Sequence, residues 1–103
     1  MNQRLSQLQQ MHEADPHDAF LTYGIALEHA KLGQLDQALA WLNKTLQIDP
    51  GYCYAYFQKG RILSQQGQTQ EARQVLEEGI RQAQQTGDTH AAGEIAGLLE
   101  TIE

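Results

Sequence analysis

The sequence of 103 residues has few of the features that catalysis, disulfide bonding or membrane insertion require. Cys53 is its one cysteine, which excludes an internal disulfide, and proline occurs twice. Apolar runs extend over a few residues, far short of the roughly 20 needed to cross a bilayer, and Met1 is not followed by the apolar stretch of a secretory signal. The formal net charge of −6 disfavours sequence-independent binding to nucleic acid. We therefore expect a cytoplasmic protein that binds neither a membrane nor nucleic acid.

The chain does contain an internal repeat of 34 residues. Leu8, Leu42 and Leu76 stand at this interval, and other features recur with them. The recurring pairs are Asp15-Pro16 with Asp49-Pro50, and Gly33-Gln34 with Gly67-Gln68. A period of this length is typical of stacked supersecondary units, each of which is too small to bury its apolar face alone.

Helices are predicted throughout the chain, because apolar residues recur at helical spacing and no stretch alternates as a strand would. The residue before each proline is disfavoured in the α region, and Gly33 and Gly67 can each end a helix in the left-handed conformation. The predicted helices cover residues 3–14, 17–32, 35–48, 52–66 and 69–85, and a sixth is capped by Asp88 or Thr89. The short connections predict antiparallel neighbours.

The same spacing predicts which side chains are buried. In the first helix, Met11 joins Leu5 and Leu8 on the core stripe, with His12 as a further candidate, and in the second helix His29 faces the interior. The predicted buried face of the last helix consists of Ala92, Ile95, Ala96, Leu99 and Ile102. The histidines expected to cap helix ends or to face water are His12, His17 and His90.

The repeat resembles the tetratricopeptide repeat, and the chain is similar to a small bacterial-type member of that family. In residues 19–52 the positions of the family pattern hold Thr22, Ile25, Ala26, His29, Ala38, Leu42 and Pro50. In residues 53–86 they hold Tyr56, Lys59, Gly60, Leu63, Ala72, Leu76 and Gln84. The resemblance implies one all-α domain over residues 1–103, a right-handed superhelix of about six antiparallel helices. Its parts are an N-terminal half-repeat helix (1–16), two repeats (19–52 and 53–86) and a C-terminal capping helix (87–103).

Small side chains are expected where the two helices of each pair cross, because helices approach to about 8 Å only where small residues meet. The small residues at these positions are Ala26, Gly60, Ala38 and Ala72. Leu42 and Leu76 are expected to fill the space between one helix pair and the next. Gln84 stands where the family pattern has a proline, so the fifth helix is expected to extend further.

Members of this family bind extended peptides or partner helices in a concave groove lined by the first helix of each pair. The resemblance places this groove on Phe20, Tyr23, Gly24, Leu27, Lys31, Tyr54, Phe57, Gln58, Arg61 and Gln65. Aromatic residues with an arginine are typical of interaction hot spots, so we predict an adaptor or scaffold for a protein or peptide partner. In the alternative arrangement, the terminal helices fold over these residues in a closed bundle. The chaperone-binding members need lysine or asparagine where this chain has Tyr23, Leu27 and Gln58, so that ligand is not expected.

Self-association is the second functional hypothesis. The end helices of a short repeat array leave apolar surface uncovered, so the chain would form weak homo-oligomers through its first and last helices and act as an assembly subunit. An enzyme is not expected, because Cys53 has no histidine near it in the sequence. His90 and Glu94 are four residues apart, but two ligands without a third do not make a metal site. We predict no catalytic residue, no metal and no cofactor.

Overall fold

The computed structural model describes residues 2–102, and within them the chain forms six α-helices and no strand. The helices are α1 (Gln3–Ala14), α2 (Ala19–Lys31), α3 (Leu35–Ile48), α4 (Cys53–Gln65), α5 (Thr69–Thr86) and α6 (Thr89–Glu100). The predicted all-α class is confirmed, and the predicted helix boundaries are correct to within two residues. No helix in this part of the chain is both long and apolar enough to span a membrane.

Acidic side chains cap the starts of two helices. α2 begins two residues later than predicted because Asp18 is its N-cap, and the Asp18 carboxylate accepts a 2.9 Å hydrogen bond from the Phe20 amide. α6 begins after Asp88, whose carboxylate accepts a 3.0 Å hydrogen bond from the Ala91 amide. Asp88 and Thr89 were both predicted as possible N-caps of this helix, and Asp88 is the residue that caps it.

Glycines in the left-handed conformation end the turns after α2, α4 and α5. Gly33, Gly67 and Gly87 have φ angles of 75°, 80° and 76°, a region that other residues rarely adopt. The predicted role of Gly33 and Gly67 is confirmed. α5 continues through Gln84 to Thr86 and has 18 residues against 14 in α3, as expected from the missing proline.

The helices divide into two compact units at the Asp49–Pro50 junction. The N-terminal unit contains α1, α2 and α3, and α2 packs against both of the others. Leu8, Leu21 and Ile25 form a buried cluster in this unit. Ala26 and Ala38, predicted at the crossing of α2 and α3, are buried with 1 % and 0 % of their surface exposed.

The prediction that Met11 lies on the buried stripe of α1 is wrong. Met11 is 54 % exposed, whereas Leu8 is buried and Leu5 packs partly buried against the cluster. Among the helices of the described chain, α1 makes its main contact with α2 alone. A helix that packs on one neighbour buries a narrower stripe than the spacing of three and four residues predicts.

A pair of buried hydroxyls joins α2 to α3. Thr22 and Thr45 are fully buried, and their Oγ1 atoms are 2.8 Å apart. Thr22 Oγ1 also lies 3.0 Å from the carbonyl oxygen of Ala19, and Thr45 Oγ1 lies 2.9 Å from that of Trp41. Because two hydroxyl protons serve three contacts, one threonine donates to the other, which in turn donates to its own helix.

The C-terminal unit contains α4, α5 and α6, and two glycines set close contacts between these helices. A Cβ atom on Gly60 would overlap the Leu76 side chain, and one on Gly79 would lie 2.6 Å from Tyr56 Cβ. The predicted close crossing at Gly60 is confirmed. Leu76 packs on Gly60 of its own helix pair, where the missing side chain leaves room for it.

The buried face of α6 is narrower than predicted and includes one residue that was not predicted. Ile95 is fully buried as expected, and Ile102, just beyond the helix, is 8 % exposed. Ala92, Ala96 and Leu99, which were expected on this face, are only half-buried, whereas Ala91 is fully buried. Ala91 and Ile95 are four residues apart and therefore lie on the same side of the helix, the side that packs in the unit.

Two histidines of the N-terminal unit lie against other side chains. His29 is buried, as predicted, and its Nδ1 is 2.7 Å from Gln34 Oε1. For His12, the expectation of a helix cap or of exposure to water is wrong, and the alternative place on the packed stripe of α1 agrees with the structure. Its half-buried ring meets Trp41 of α3 edge-on at a centroid distance of 5.0 Å, because the last turn of α1 lies close to that indole.

Candidate functional site

Four of the predicted groove residues lie along one side of α2. Phe20, Tyr23, Leu27 and Lys31 are separated by three or four residues, which aligns them on a helix. Phe20 is 66 % exposed, Lys31 is exposed, and the other two are half-buried. We call these four residues the α2 stripe. Its ends are therefore the parts that a ligand reaches most easily.

Five further predicted groove residues lie along one side of α4. They are Tyr54, Phe57, Gln58, Arg61 and Gln65, which we call the α4 stripe. The rings of Tyr54 and Phe57 meet edge-to-face with centroids 6.5 Å apart. Arg61 Nη2 donates a 2.6 Å hydrogen bond to Gln58 Oε1, while Arg61 and Gln65 are exposed. The stripe thus presents an aromatic pair beside a guanidinium group that a neighbouring amide holds in place.

Tyr54 also faces α6. Burial is the largest cause that raises the pKa of the Tyr54 phenol, and the nearby carboxylates of Glu94 and Asp88 raise it further. The phenol also hydrogen-bonds to Glu94. Glu94 Oε1 is 2.6 Å from His90 Nε2, four residues earlier on the same helix. The sequence suggested the pairing of His90 with Glu94 but gave no sign that Tyr54 lies beside it. The start of α6 therefore belongs to the surroundings of the α4 stripe.

A cleft of about 420 Å³ lies between α1 and α2. Its lining residues are Arg4, Gln7, Leu8, Gln10, Met11, Phe20 and Leu21. Gly24, another predicted groove residue, lies under α1, because a Cβ placed on it would be 3.5 Å from both Cδ atoms of Leu8. α1 thus covers part of α2 while Phe20 and Met11 stay exposed.

Glu28 places a carboxylate, 7 % exposed, between the start of α1 and the end of α2. Asn2 Nδ2 donates to Glu28 Oε1 at 3.1 Å, and Lys31 Nζ donates to Oε2 at 3.2 Å. Arg4 Nε lies 3.5 Å from the same Oε2. The hydrogen bond from Asn2, with the contributions of Lys31 and Arg4, outweighs burial and lowers the pKa of Glu28. Glu28 was missed from the sequence, because its neighbours along the chain resemble those of an exposed helical glutamate.

The residues that the sequence analysis considered for catalysis or metal binding each contact nearby groups. Cys53 is buried, and its thiol donates to the Gly51 carbonyl oxygen at 3.3 Å. His90 and Glu94 contact each other. Residues 2–102 contain no cluster of three or more histidine, cysteine, aspartate or glutamate side chains that could hold a metal ion.

Helix pairs joined by glycine turns, with small residues at their crossings, define a helical-repeat protein. Residues 29–93 match the sequence model of the tetratricopeptide repeat family. The chain belongs to this family, and the resemblance drawn from its sequence is confirmed.

Known proteins similar to this chain include both curated sequences and solved structures. A stretch of 61 residues, 59 % of this chain, is 38 % identical to Protein DIA2 of Eremothecium gossypii, of which it covers 9 %. A tetratricopeptide repeat domain protein from Salinibacter ruber, solved by NMR, is 28 % identical with a TM-score of 0.79, over 84 % of this chain and 88 % of that one. The TPR2B domain of yeast Sti1, solved as a complex with pHsp70, has a TM-score of 0.88 at 24 % identity, over 93 % of this chain and 77 % of that one. This chain thus spans about a tenth of the curated relative, and the Sti1 likeness shows the fold alone.

Proposed function

We propose that this chain is an adaptor that binds a peptide or helix of a partner protein through the α2 stripe and the α4 stripe. The observation that carries the proposal is the set of accessible aromatic side chains on the first helix of each repeat. Phe20 is 66 % exposed, and Tyr54 and Phe57 form a half-buried pair beside the exposed Arg61. Aromatic and arginine side chains supply most of the binding energy in many protein interfaces.

The fold supports this proposal by analogy. The structure of the Sti1 domain is a complex with pHsp70, so one protein of this fold does hold another protein's sequence. Lysine and asparagine are absent from the positions of Tyr23, Leu27 and Gln58, so the partner here differs from that ligand class. A standard interface buries about 800 Å² on each partner, and stripes of four and five side chains, about half of which are partly buried, form a small part of such a surface, so we expect micromolar affinity.

The test is a binding measurement on a partner identified by affinity purification and mass spectrometry. The Kd of the purified partner is measured for the wild type, Tyr54→Ala and Arg61→Ala by isothermal titration calorimetry. We expect at least one of these variants to raise the Kd about tenfold or more. Truncating a hot-spot residue to alanine typically costs about 2 kcal/mol or more of binding free energy. Arg81→Ala is the matched control, because Arg81 is an exposed arginine on α5 that pairs with Glu78 of its own helix. If both stripe variants bind as the wild type does, the proposal is wrong.

Self-association through the terminal helices is the second candidate. One observation favours it for the first helix: Met11 of α1 is 54 % exposed beside the cleft. At the other end, α6 directs Ala91 and Ile95 into its own unit. Self-association would therefore use α1 rather than α6.

A further inference from the structure

α1 is held in the N-terminal unit by little apolar contact. Of its residues, all of which the structure describes, Leu8 alone is buried. The Leu8 side chain lies over Gly24, at ordinary contact distance from the place a Cβ would take. Met11 is more than half exposed. α2, by contrast, buries six of its residues, among them the fully buried Ile25. Helices with few buried apolar contacts are the ones that open locally while the rest of a protein stays folded.

A polar contact fastens the start of α1 to α2. Two of the three side chains around the Glu28 carboxylate come from the start of α1: Asn2 donates a hydrogen bond and Arg4 forms an ion pair. The third is Lys31, on the same helix as Glu28. Asn2 has two roles, because its Oδ1 also accepts a 3.0 Å hydrogen bond from the Leu5 amide and so caps α1. One side chain therefore starts the helix and attaches it to α2. A carboxylate as buried as that of Glu28 needs these donors to offset its lost hydration.

The other end of α1 is attached less completely. The His12 ring rests edge-on against Trp41, and its Nε2 is buried without a hydrogen-bond partner. A buried polar nitrogen without a partner disfavours the closed position, since water can satisfy it when the helix opens. The contact at Glu28 is therefore a specific polar interaction between the helices that favours the closed position of α1.

We propose that α1 is a latch on α2, by which we mean a helix that separates from α2 reversibly and as one unit. While α1 separates, α2 and α3 stay folded, and the contact at Glu28 holds α1 against α2 in the closed position. Opening removes Leu8 from Gly24 and uncovers that part of α2 beside the exposed Phe20. The latch therefore controls how much of α2 a binding partner can reach. This consequence for binding rests on the proposed function, whereas the opening itself does not.

The test is amide hydrogen exchange, measured by NMR on the full chain without a partner. The amides of Leu8 and Met11 report on α1, and those of Ala38 and Leu42 report on α3. In Glu28→Gln we expect exchange at the α1 amides to rise on the order of tenfold, because a neutral amide binds Asn2 and Arg4 more weakly than a carboxylate does. Exchange at the α3 amides should stay as in the wild type.

Glu78→Gln is the matched control. Glu78 accepts hydrogen bonds from Arg81 and Gln82 of its own helix, so this variant also loses a paired carboxylate but no contact between helices. Exchange at the α1 amides should be unchanged in it. Since no partner is present, the outcome does not depend on whether the proposed adaptor function is correct.

Two outcomes in Glu28→Gln would overturn the proposal. An equal rise at the α1 and α3 amides would mean that the unit opens as a whole, and no rise at the α1 amides would mean that Glu28 does not hold the helix. If circular dichroism shows that Glu28→Gln is unfolded, Asn2→Asp decides by the same criteria. That variant keeps a side-chain oxygen to accept from the Leu5 amide but replaces the donor to Glu28 by a like charge.

Discussion

At the scale of single residues, packing in the C-terminal unit depends on glycines inside helices. Gly60 of α4 and Gly79 of α5 each face a large side chain of a neighbouring helix. Glycine inside a helix costs about 1 kcal/mol relative to alanine when nothing is packed against it. At these two positions that cost is offset by the close approach of Leu76 and Tyr56. Gly93, on the exposed side of α6, has nothing within 4 Å of its missing Cβ and gains no such contact.

Gly60→Ala should destabilise the protein and Gly93→Ala should stabilise it. The new methyl at position 60 would overlap the buried Leu76, and overpacking of this kind costs about 1–3 kcal/mol. At position 93 the alanine meets open space and should add about 0.4–1 kcal/mol by restricting the unfolded chain. The free energy of unfolding from urea titrations gives both values. Changes of the same sign in the two variants would contradict the packing described here.

The stability should depend on pH through Glu28. The hydrogen bond from Asn2 is the main cause that lowers the pKa of Glu28 in the folded state below its ordinary value of 4.5. The unfolded chain therefore takes up the proton at higher pH than the folded chain. The contribution of Glu28 to stability is present above pH 4.5 or so and is lost as the pH falls through the lowered value.

This dependence can be measured by comparing the wild type with Glu28→Gln. The difference between their free energies of unfolding should be largest near about pH 6 and should shrink toward about pH 3, because glutamine does not titrate. Urea titrations followed by circular dichroism at several pH values provide the data. A difference that stays constant or grows on acidification would show that the Glu28 charge is not favourable in the folded state.

At the scale of helices, the residues that start or stop a helix predicted the helix ends to within two residues. Apolar spacing did not fully predict which face of α1 and of α6 is buried. The Asp-Pro pairs and the glycines at 33 and 67 mark helix ends because they restrict or permit particular backbone angles locally. Which side of α1 is buried depends on how many helices pack against it, and Met11 was misplaced for that reason. Ala92 was misplaced for a similar reason, since Ala91 faces the neighbouring helices. In α2, which packs on two sides, the predicted stripe of Leu21, Ile25, Ala26 and His29 is buried.

The crossing of α2 and α3 should be sensitive to side-chain size. Ala38 is fully buried where these helices pack, so Ala38→Leu should cost roughly 1–3 kcal/mol by overpacking. Ala40→Leu on the exposed side of the same helix is the control and should change stability by less than about 0.5 kcal/mol. Thermal unfolding followed by circular dichroism compares the two. Equal effects would mean that position 38 is not at a close helix crossing.

At the scale of the whole molecule, the two functional hypotheses predict different masses in solution. An adaptor that works alone should have the mass of one chain, 11.6 kDa, at all concentrations tested. Size-exclusion chromatography with light scattering measures this, and we expect the monomer mass. A mass that increases with concentration in the wild type and not in Met11→Gln would instead support self-association through α1.

The sequence alone was sufficient for the family, the helix count and the glycine turns, because each follows from local backbone preferences repeated every 34 residues. It also identified the two stripes as candidate contact surfaces, and their binding role stays a prediction. Glu28, His12 and the neighbourhood of Tyr54 were decided only by the tertiary structure. Their partners Asn2, Trp41 and Glu94 are 26, 29 and 40 residues away along the chain, at distances that no local pattern encodes. Burial and charge at such positions depend on which helices pack together, and that is settled only when the chain folds.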